Sequence, residues 1–172
     1  MILLLLWFTL TAAPLMPDRL PPLKGEFLSG RLALLPDAAS GRVALLALGF
    51  TYDSRFAVEA WVKRFRADYG ENPQTTFYEI PMIGGMAQLG KWFIDGGMRR
   101  GTPKADHEHV ITVYGNTRPW KERVGFQAPD VAYLLLLDKD GSVRWRHSGP
   151  FTEAEYQRMS AAVKPLLSTS AQ

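Results

Sequence analysis

Tyr133-Leu134-Leu135-Leu136-Leu137-Asp138-Lys139-Asp140-Gly141-Ser142-Val143-Arg144-Trp145-Arg146-His147-Ser148-Gly149 holds the key to this chain's architecture. Successive apolar residues at 133–137 read as a strand buried on both faces. Asp140-Gly141 then predicts a hairpin turn, because both residue types accept positive φ. In the returning strand Val143 and Trp145 alternate with Arg144 and Arg146, so one of its faces is wet. Just beyond, Thr152-Glu153-Ala154-Glu155 has capping-box spacing. Tyr156, Met159, Val163 and Leu166 give the following helix an apolar face, which Pro165 is expected to end or kink.

Working upstream, Val43-Ala44-Leu45-Leu46-Ala47-Leu48-Gly49-Phe50 is a second fully apolar strand. After the polar turn Thr51–Arg55, where Asp53 or Ser54 can cap, a helix follows over Phe56–Tyr69. Ala57, Trp61 and Phe65 repeat at four-residue spacing beside Val58 and Val62, and Gly70 closes it. Thr75–Ile80 is a β-rich run, and Pro81–Gly85 turns the chain. Met86, Leu89, Trp92 and Phe93 then recur at helical spacing and predict a core-facing stripe that ends at Gly96-Gly97. His109–Tyr114 predicts a third strand before a loop at Gly115–Pro119. The order strand, helix, strand, helix, strand, hairpin, helix predicts an α/β fold: a mixed sheet flanked by helices, with a late β-hairpin and a closing C-terminal helix. Residues 23–168 form the expected domain. Residues 1–22 are an apolar leader and Pro-rich linker, and 169–172 a tail.

The chain has 172 residues, a formal charge of +3 and no cysteine. Its length suits one domain. The missing cysteines exclude disulfides, dithiol redox, cysteine nucleophiles and thiolate metal sites. The basic cluster Met98-Arg99-Arg100-Gly101 is too short to predict nucleic-acid binding and reads as a solvated surface. Met1–Leu10 is uncharged and strongly apolar, and Thr11-Ala12-Ala13 supplies small residues before Pro14. This run is shorter than the ~20 residues of a spanning helix. It fits the apolar region of a secretory signal cleaved after Ala13, or an uncleaved anchor, although no Lys or Arg precedes it. The expected location is therefore exported, periplasmic or membrane-anchored.

The Tyr133–Gly149 segment resembles the late hairpin of thioredoxin-like and peroxiredoxin-like proteins, and Val43–Phe50 with the helix Phe56–Tyr69 resembles their first βα unit. Those families place their active cysteines in the turn after that strand. Here the turn is Thr51-Tyr52-Asp53-Ser54-Arg55. Thiol exchange needs a thiolate, and a serine alkoxide is not accessible at that position without a base. Pro129, the nearest candidate for the cis-proline of the redox families, lies upstream of its usual place. Tyr78-Glu79-Ile80-Pro81-Met82, Gly97–Gly101 and Val143–Gly149 carry a closer similarity. Over Gly30–Gly149 the chain resembles the thioredoxin-like family that includes mitochondrial ATP synthase assembly factors, chaperones of the proton-channel subunit a. That resemblance implies a cysteine-free chaperone or assembly factor that handles a protein partner, a subunit of a membrane complex, with no catalytic residue, cofactor or metal.

Two motifs offer an alternative, a phosphate- or metal-binding enzyme or sensor. Gly85-Met86-Ala87-Gln88-Leu89-Gly90-Lys91 fits the G-x-x-x-x-G-K core of a phosphate-binding loop. Trp92, however, stands where Ser or Thr must hold magnesium. Asp106-His107-Glu108-His109 could hold a metal if the segment is extended, so that His107 and His109 share a face. His147 could join them if the two strands are neighbours. The bland reading is a solvated loop entering a strand. No Gly-x-Ser-x-Gly elbow is present, and Asp138 and Asp140 belong to the hairpin turn. Trp61, Trp92, Trp120 and Trp145 read as core or rim residues. Trp120, in Arg118-Pro119-Trp120-Lys121, is the expected exposed aromatic and a candidate protein contact with Arg99 and Arg100.

Overall fold

A computed structural model describes residues 18–168. The expected leader and the expected C-terminal tail at 169–172 lie outside them, except for 18–22. The strands are β1 (Leu23–Phe27), β2 (Leu32–Leu35), β3 (Val43–Gly49), β4 (Thr75–Ile83), β5 (Ile111–Tyr114), β6 (Ala132–Leu137) and β7 (Val143–Gly149). The helices are α1 (Ser54–Tyr69), α2 (Lys91–Gly101), α3 (Arg118–Val124) and α4 (Glu153–Ser168). They form one mixed sheet in the order β2-β1-β5-β4-β3-β6-β7. β3, β4 and β5 run parallel, while β6, β7 and the N-terminal hairpin run antiparallel to their neighbours. This is the predicted mixed α/β sheet with its late hairpin and closing helix.

The apolar strands are central because both of their faces are covered. Along β3 the residues alternate between two cores. Val43, Leu45 and Ala47 meet Trp61 and Phe65 of α1 and Tyr156, Met159 and Val163 of α4. Ala44, Leu46 and Leu48 meet Tyr133, Leu135, Trp120 of α3 and Leu35 on the other side. Trp61 is fully buried, with Trp145, His147, Phe151 and Tyr156 packed around its ring. At the start of α4 the Glu155 amide donates to Thr152 Oγ1 at 3.2 Å, as the capping box predicts.

Several boundaries differ from the sequence reading. β4 continues through Pro81 to Ile83, and β5 begins at Ile111 rather than His109. α2 runs through Gly96-Gly97 to Gly101, and α4 passes Pro165 to reach Ser168. In the hairpin only Gly141 takes positive φ, at 80°. The turn is instead a five-residue loop organised by the Asp138 carboxylate. That group accepts from the amides of Asp140 at 3.0 Å and Ser142 at 2.9 Å and from Arg144 Nε at 2.5 Å. The supposed loop after β5 holds α3, which has Pro119 in its first turn and left-handed Gly125 (φ 65°) as its cap. Residues 18–22, read as the end of a linker, are tied down. Leu20 is buried, its amide donates to the Gly141 carbonyl, and Asp18 pairs with Arg123 and Arg146.

Candidate functional site

The parallel strands β3, β4 and β5 all end at one edge of the sheet, the edge at which open α/β folds bind their ligands. The turn after β3 is the one that would carry the redox cysteines. Thr51 and Ser54 stand there at the spacing of a Cys-x-x-Cys pair, and each satisfies the other. The Ser54 amide donates to Thr51 Oγ1 at 3.1 Å, and the Thr51 amide donates to Ser54 Oγ at 3.2 Å. Ser54 Oγ in turn donates to the Thr51 carbonyl at 2.7 Å, and Thr51 Oγ1 donates to Asp130 at 2.7 Å. Thr51 therefore does the capping expected of Asp53 or Ser54. A Cβ on Gly49 would come within 2.5 Å of Ser54 Oγ, so the strand must end in glycine for this knot to close. Among the described residues neither hydroxyl has a histidine or lysine partner, and the pair caps the first turn of α1. Among the described residues the one cis peptide is Leu35–Pro36, so Pro129 is not a cis-proline. Outward from the knot, Arg55 stacks on both exposed rings beside it, Tyr52 and Phe56.

α2 is inside out. It descends the α1 face of the sheet over β5 and β1, and it points its charges inward. Lys91 Nζ lies 2.6 Å from Asp95 and 3.1 Å from Glu26 of β1. The Tyr114 hydroxyl donates to Asp95 at 2.6 Å, and Arg99 Nε donates to the Leu28 carbonyl at 2.6 Å. Asp95 is only 2% exposed. The reason lies in the strands beneath. Ile111 and Val113 of β5 face the opposite core, which leaves Thr112, Tyr114 and their neighbour Glu26 on this side. A polar sheet face needs polar cover. Burial works against the Lys91 ammonium, but the Asp95 and Glu26 carboxylates outweigh it and hold its pKa above the ordinary lysine range. Burial and the Asp95 carboxylate likewise push the Tyr114 phenol up.

The apolar residues of this segment consequently face water. Leu89 and Trp92 are each 80% exposed and Phe93 65%. The predicted core stripe of Leu89, Trp92 and Phe93 is therefore overturned; the side chain of Met86 is not among those described. Trp120 changes places with Trp92: it is 9% exposed, packed in the core under α3, and no candidate contact. Arg99 is spent on Leu28 and Glu26, whereas Arg100 is exposed. Trp61 is a core residue and Trp145 half-buried, as expected.

The alternative motifs are also placed. Gly85–Gly90 winds into a 3-10 helix, and Lys91 is engaged in its two ion pairs. His107 and His109 do not share an extended face. They sit in a turn after the 3-10 segment Lys104–Asp106, with His107 Nε2 donating to the Thr102 carbonyl and His109 Nδ1 to the Phe77 carbonyl, each at 3.0 Å. His147 is on β7, separated from β5 by three intervening strands. Among the described residues no three His, Asp or Glu gather as a metal site.

One titratable group escaped the sequence reading. Glu79 of β4 lies between two clefts, the larger about 280 Å³ and lined also by Glu59, Arg66 and Asp106. Burial, then the like charges of Glu59 and Asp106, push its pKa up to about 7 against the pull of Arg66. The signal was visible in principle, since Glu79 interrupts the apolar run from Phe77 to Ile83.

Solved structures with this fold include BsSco, of the Sco family of cytochrome c oxidase assembly proteins (13% identity, TM-score 0.61, 92% of this chain and 98% of that one). A candidate thiol:disulfide interchange protein DsbE from Chlorobium tepidum aligns at 16% identity and TM-score 0.59, over 88% of this chain and 96% of the other. The exposed lipoprotein thioredoxin Etrx1 of Streptococcus pneumoniae aligns at 13% and 0.56, over 84% and 99%. At such identities the likeness establishes a thioredoxin-like fold alone. No curated protein matches the chain. The family model described as ATP10 protein matches residues 18–166, nearly the whole described structure, and the chain belongs to that family.

Proposed function

We propose that this protein is a non-catalytic assembly factor for a membrane complex such as ATP synthase, acting by binding a protein subunit. One observation carries the reading. The turn that serves thiol chemistry in the redox members of the fold is here a closed hydroxyl cap, flanked by the exposed Tyr52-Arg55-Phe56 stack. Family membership points the same way, and supplies ATP synthase as the complex to test first. An aromatic–arginine edge is the composition favoured in protein contacts. The apolar segment Met1–Ala13 would bring the chain to a membrane or export it. The sequence of the mature N-terminus distinguishes those two fates.

The test is crosslinking in intact membranes followed by affinity capture of the tagged chain at native expression. Recovery of one membrane complex, reduced by the pair Tyr52→Ser and Phe56→Ser, supports the reading. Recovery unchanged by that pair removes the edge from it. A reproducible oxidoreductase or peroxidase activity of the purified chain would overturn it.

A further inference from the structure

We infer that the outward face of α2 docks on an anionic lipid surface. Three observations converge on that face. First, Leu89, Trp92 and Phe93 project into water from consecutive turns, with Trp92 and Phe93 in edge-on contact at 6.0 Å. A contiguous aromatic patch on a folded chain marks a contact surface, and tryptophan suits the membrane interface because one end of the ring is apolar and the other wet. Second, the exposed charge carried by this segment has one sign. From Gly85 to Ala105 the chain carries Lys91, Arg99, Arg100 and Lys104 against a single carboxylate, Asp95, and that carboxylate is buried on the inner side of the helix. Third, two of these cations are uncommitted. Among the described residues the side chains of Arg100 and Lys104 have no hydrogen bond or ion pair, whereas Lys91 and Arg99 are held by Glu26, Asp95 and Leu28.

These features distinguish a bilayer from a protein groove as the occupant. A protein partner would need carboxylates placed to meet Arg100 and Lys104. An anionic headgroup layer meets them wherever they lie, and its acyl boundary accepts Leu89, Trp92 and Phe93 without shape complementarity. The inner polar network ties Lys91, Asp95 and Arg99 to β1, β5 and Leu28, which leaves the ring side of the helix facing out. Docking by α2 would fix the orientation of the domain on the membrane, whatever attaches the chain to it. This proposal does not depend on the identity of the assembled complex, and a vesicle experiment does not bear on that question.

The experiment uses the full chain with vesicles of phosphatidylcholine alone and of phosphatidylcholine mixed with phosphatidylglycerol. Brominated acyl chains in both sets quench any tryptophan that reaches the acyl boundary. The emission of the wild-type chain minus that of Trp92→Phe isolates Trp92 from the other tryptophans, including Trp7 in the leader. The expected result is strong quenching of this difference signal on the anionic vesicles, weaker on the neutral ones and relieved by salt. The pair Arg100→Gln and Lys104→Gln should weaken anionic binding about fivefold per cation removed. Circular dichroism of each variant checks that it is folded. If the chain binds while the Trp92 difference signal stays unquenched, another segment attaches it and the proposal fails. Equal quenching on neutral and anionic vesicles overturns the anionic part. Absence of vesicle binding, with membrane crosslinking lost in Trp92→Ser, assigns the face to a protein and also overturns the proposal.

Discussion

α1 and α2 lie side by side on the same face of the sheet and solve opposite problems. α1 covers β4, β3 and β6, meets the apolar side chains Phe77, Val43, Leu45, Ala47 and Leu134 there, and sends Val58, Trp61, Val62 and Phe65 inward. α2 covers β1 and β5, which present Glu26, Thr112 and Tyr114, and sends Lys91, Asp95 and Arg99 inward. Both helices are amphipathic. What differs is the surface beneath, and that surface determines which side of each helix is left for contact. A helix's apolar stripe marks the core only when the strands under it are apolar too.

The largest expected effect tests the apolar half of this comparison. Trp61→Ala removes the ring at the centre of the α1–α4 core and should cost about 3–5 kcal/mol. Denaturant unfolding of the variant measures it, and a loss below about 1 kcal/mol would mean that α1 does not anchor this face.

Glu79 sits in the seam between the two helices, and its effect depends on pH. The folded chain holds the Glu79 proton up to about pH 7, whereas its ordinary value is 4.5. Between those values the folded state binds more protons than the unfolded one, so stability falls as pH rises through that window. Glu79→Gln should abolish this fall and stabilise the protein above pH 7 by on the order of 3 kcal/mol. Unfolding curves at pH 5 and pH 8 provide the comparison. An unchanged pH dependence would place the cleft in full contact with water.

How much of this was legible follows the same division. Where one strand's residues settle the environment of a helix, as at Val43–Gly49 and Tyr133–Leu137, sequence pattern gives strand, helix, face and hairpin together. The inverted helix was not legible, because periodicity shows that Leu89, Trp92 and Phe93 share a side without showing what that side meets. The polar floor comes from β1 and β5, neighbours across a long sequence separation, and their pairing is a property of topology. Trp120 was misplaced for a local reason. Pro119 reads as a loop residue, yet it opens α3 in the first-turn position where proline is welcome, and Gly125 closes that helix. The redox turn was legible as lacking a thiol. The reciprocal hydroxyl cap that fills it was not, since Asp53 has the better capping propensity and Thr51 holds the geometry.

The polar half of the comparison is tested at Asp95. Asp95→Ala strands the Lys91 ammonium and the Tyr114 hydroxyl beneath α2, and should cost about 1–3 kcal/mol. Glu26 still holds Lys91 at 3.1 Å, which keeps the loss toward the lower end. Hydrogen exchange should then show faster opening of 91–101 with α1 unaffected, because the two helices rest on different strands. If α1 opens too, the two covers are one cooperative unit.

The smallest expected effect separates the two helices most sharply. Trp61 and Trp92 are the same residue type, each on a helix over one face of one sheet, yet one is fully buried and the other 80% exposed. Trp92→Ser removes almost no buried area and leaves the Lys91–Asp95 network untouched, so it should change stability by no more than about 0.5 kcal/mol. A large loss would mean that the ring is buried against something in the folded chain, and α2 would then be an ordinary core helix. Unchanged stability leaves the ring without a structural duty. A large aromatic side chain held in water by a helix whose other side is tied to the sheet then has its use outside the fold, at the surface that α2 presents.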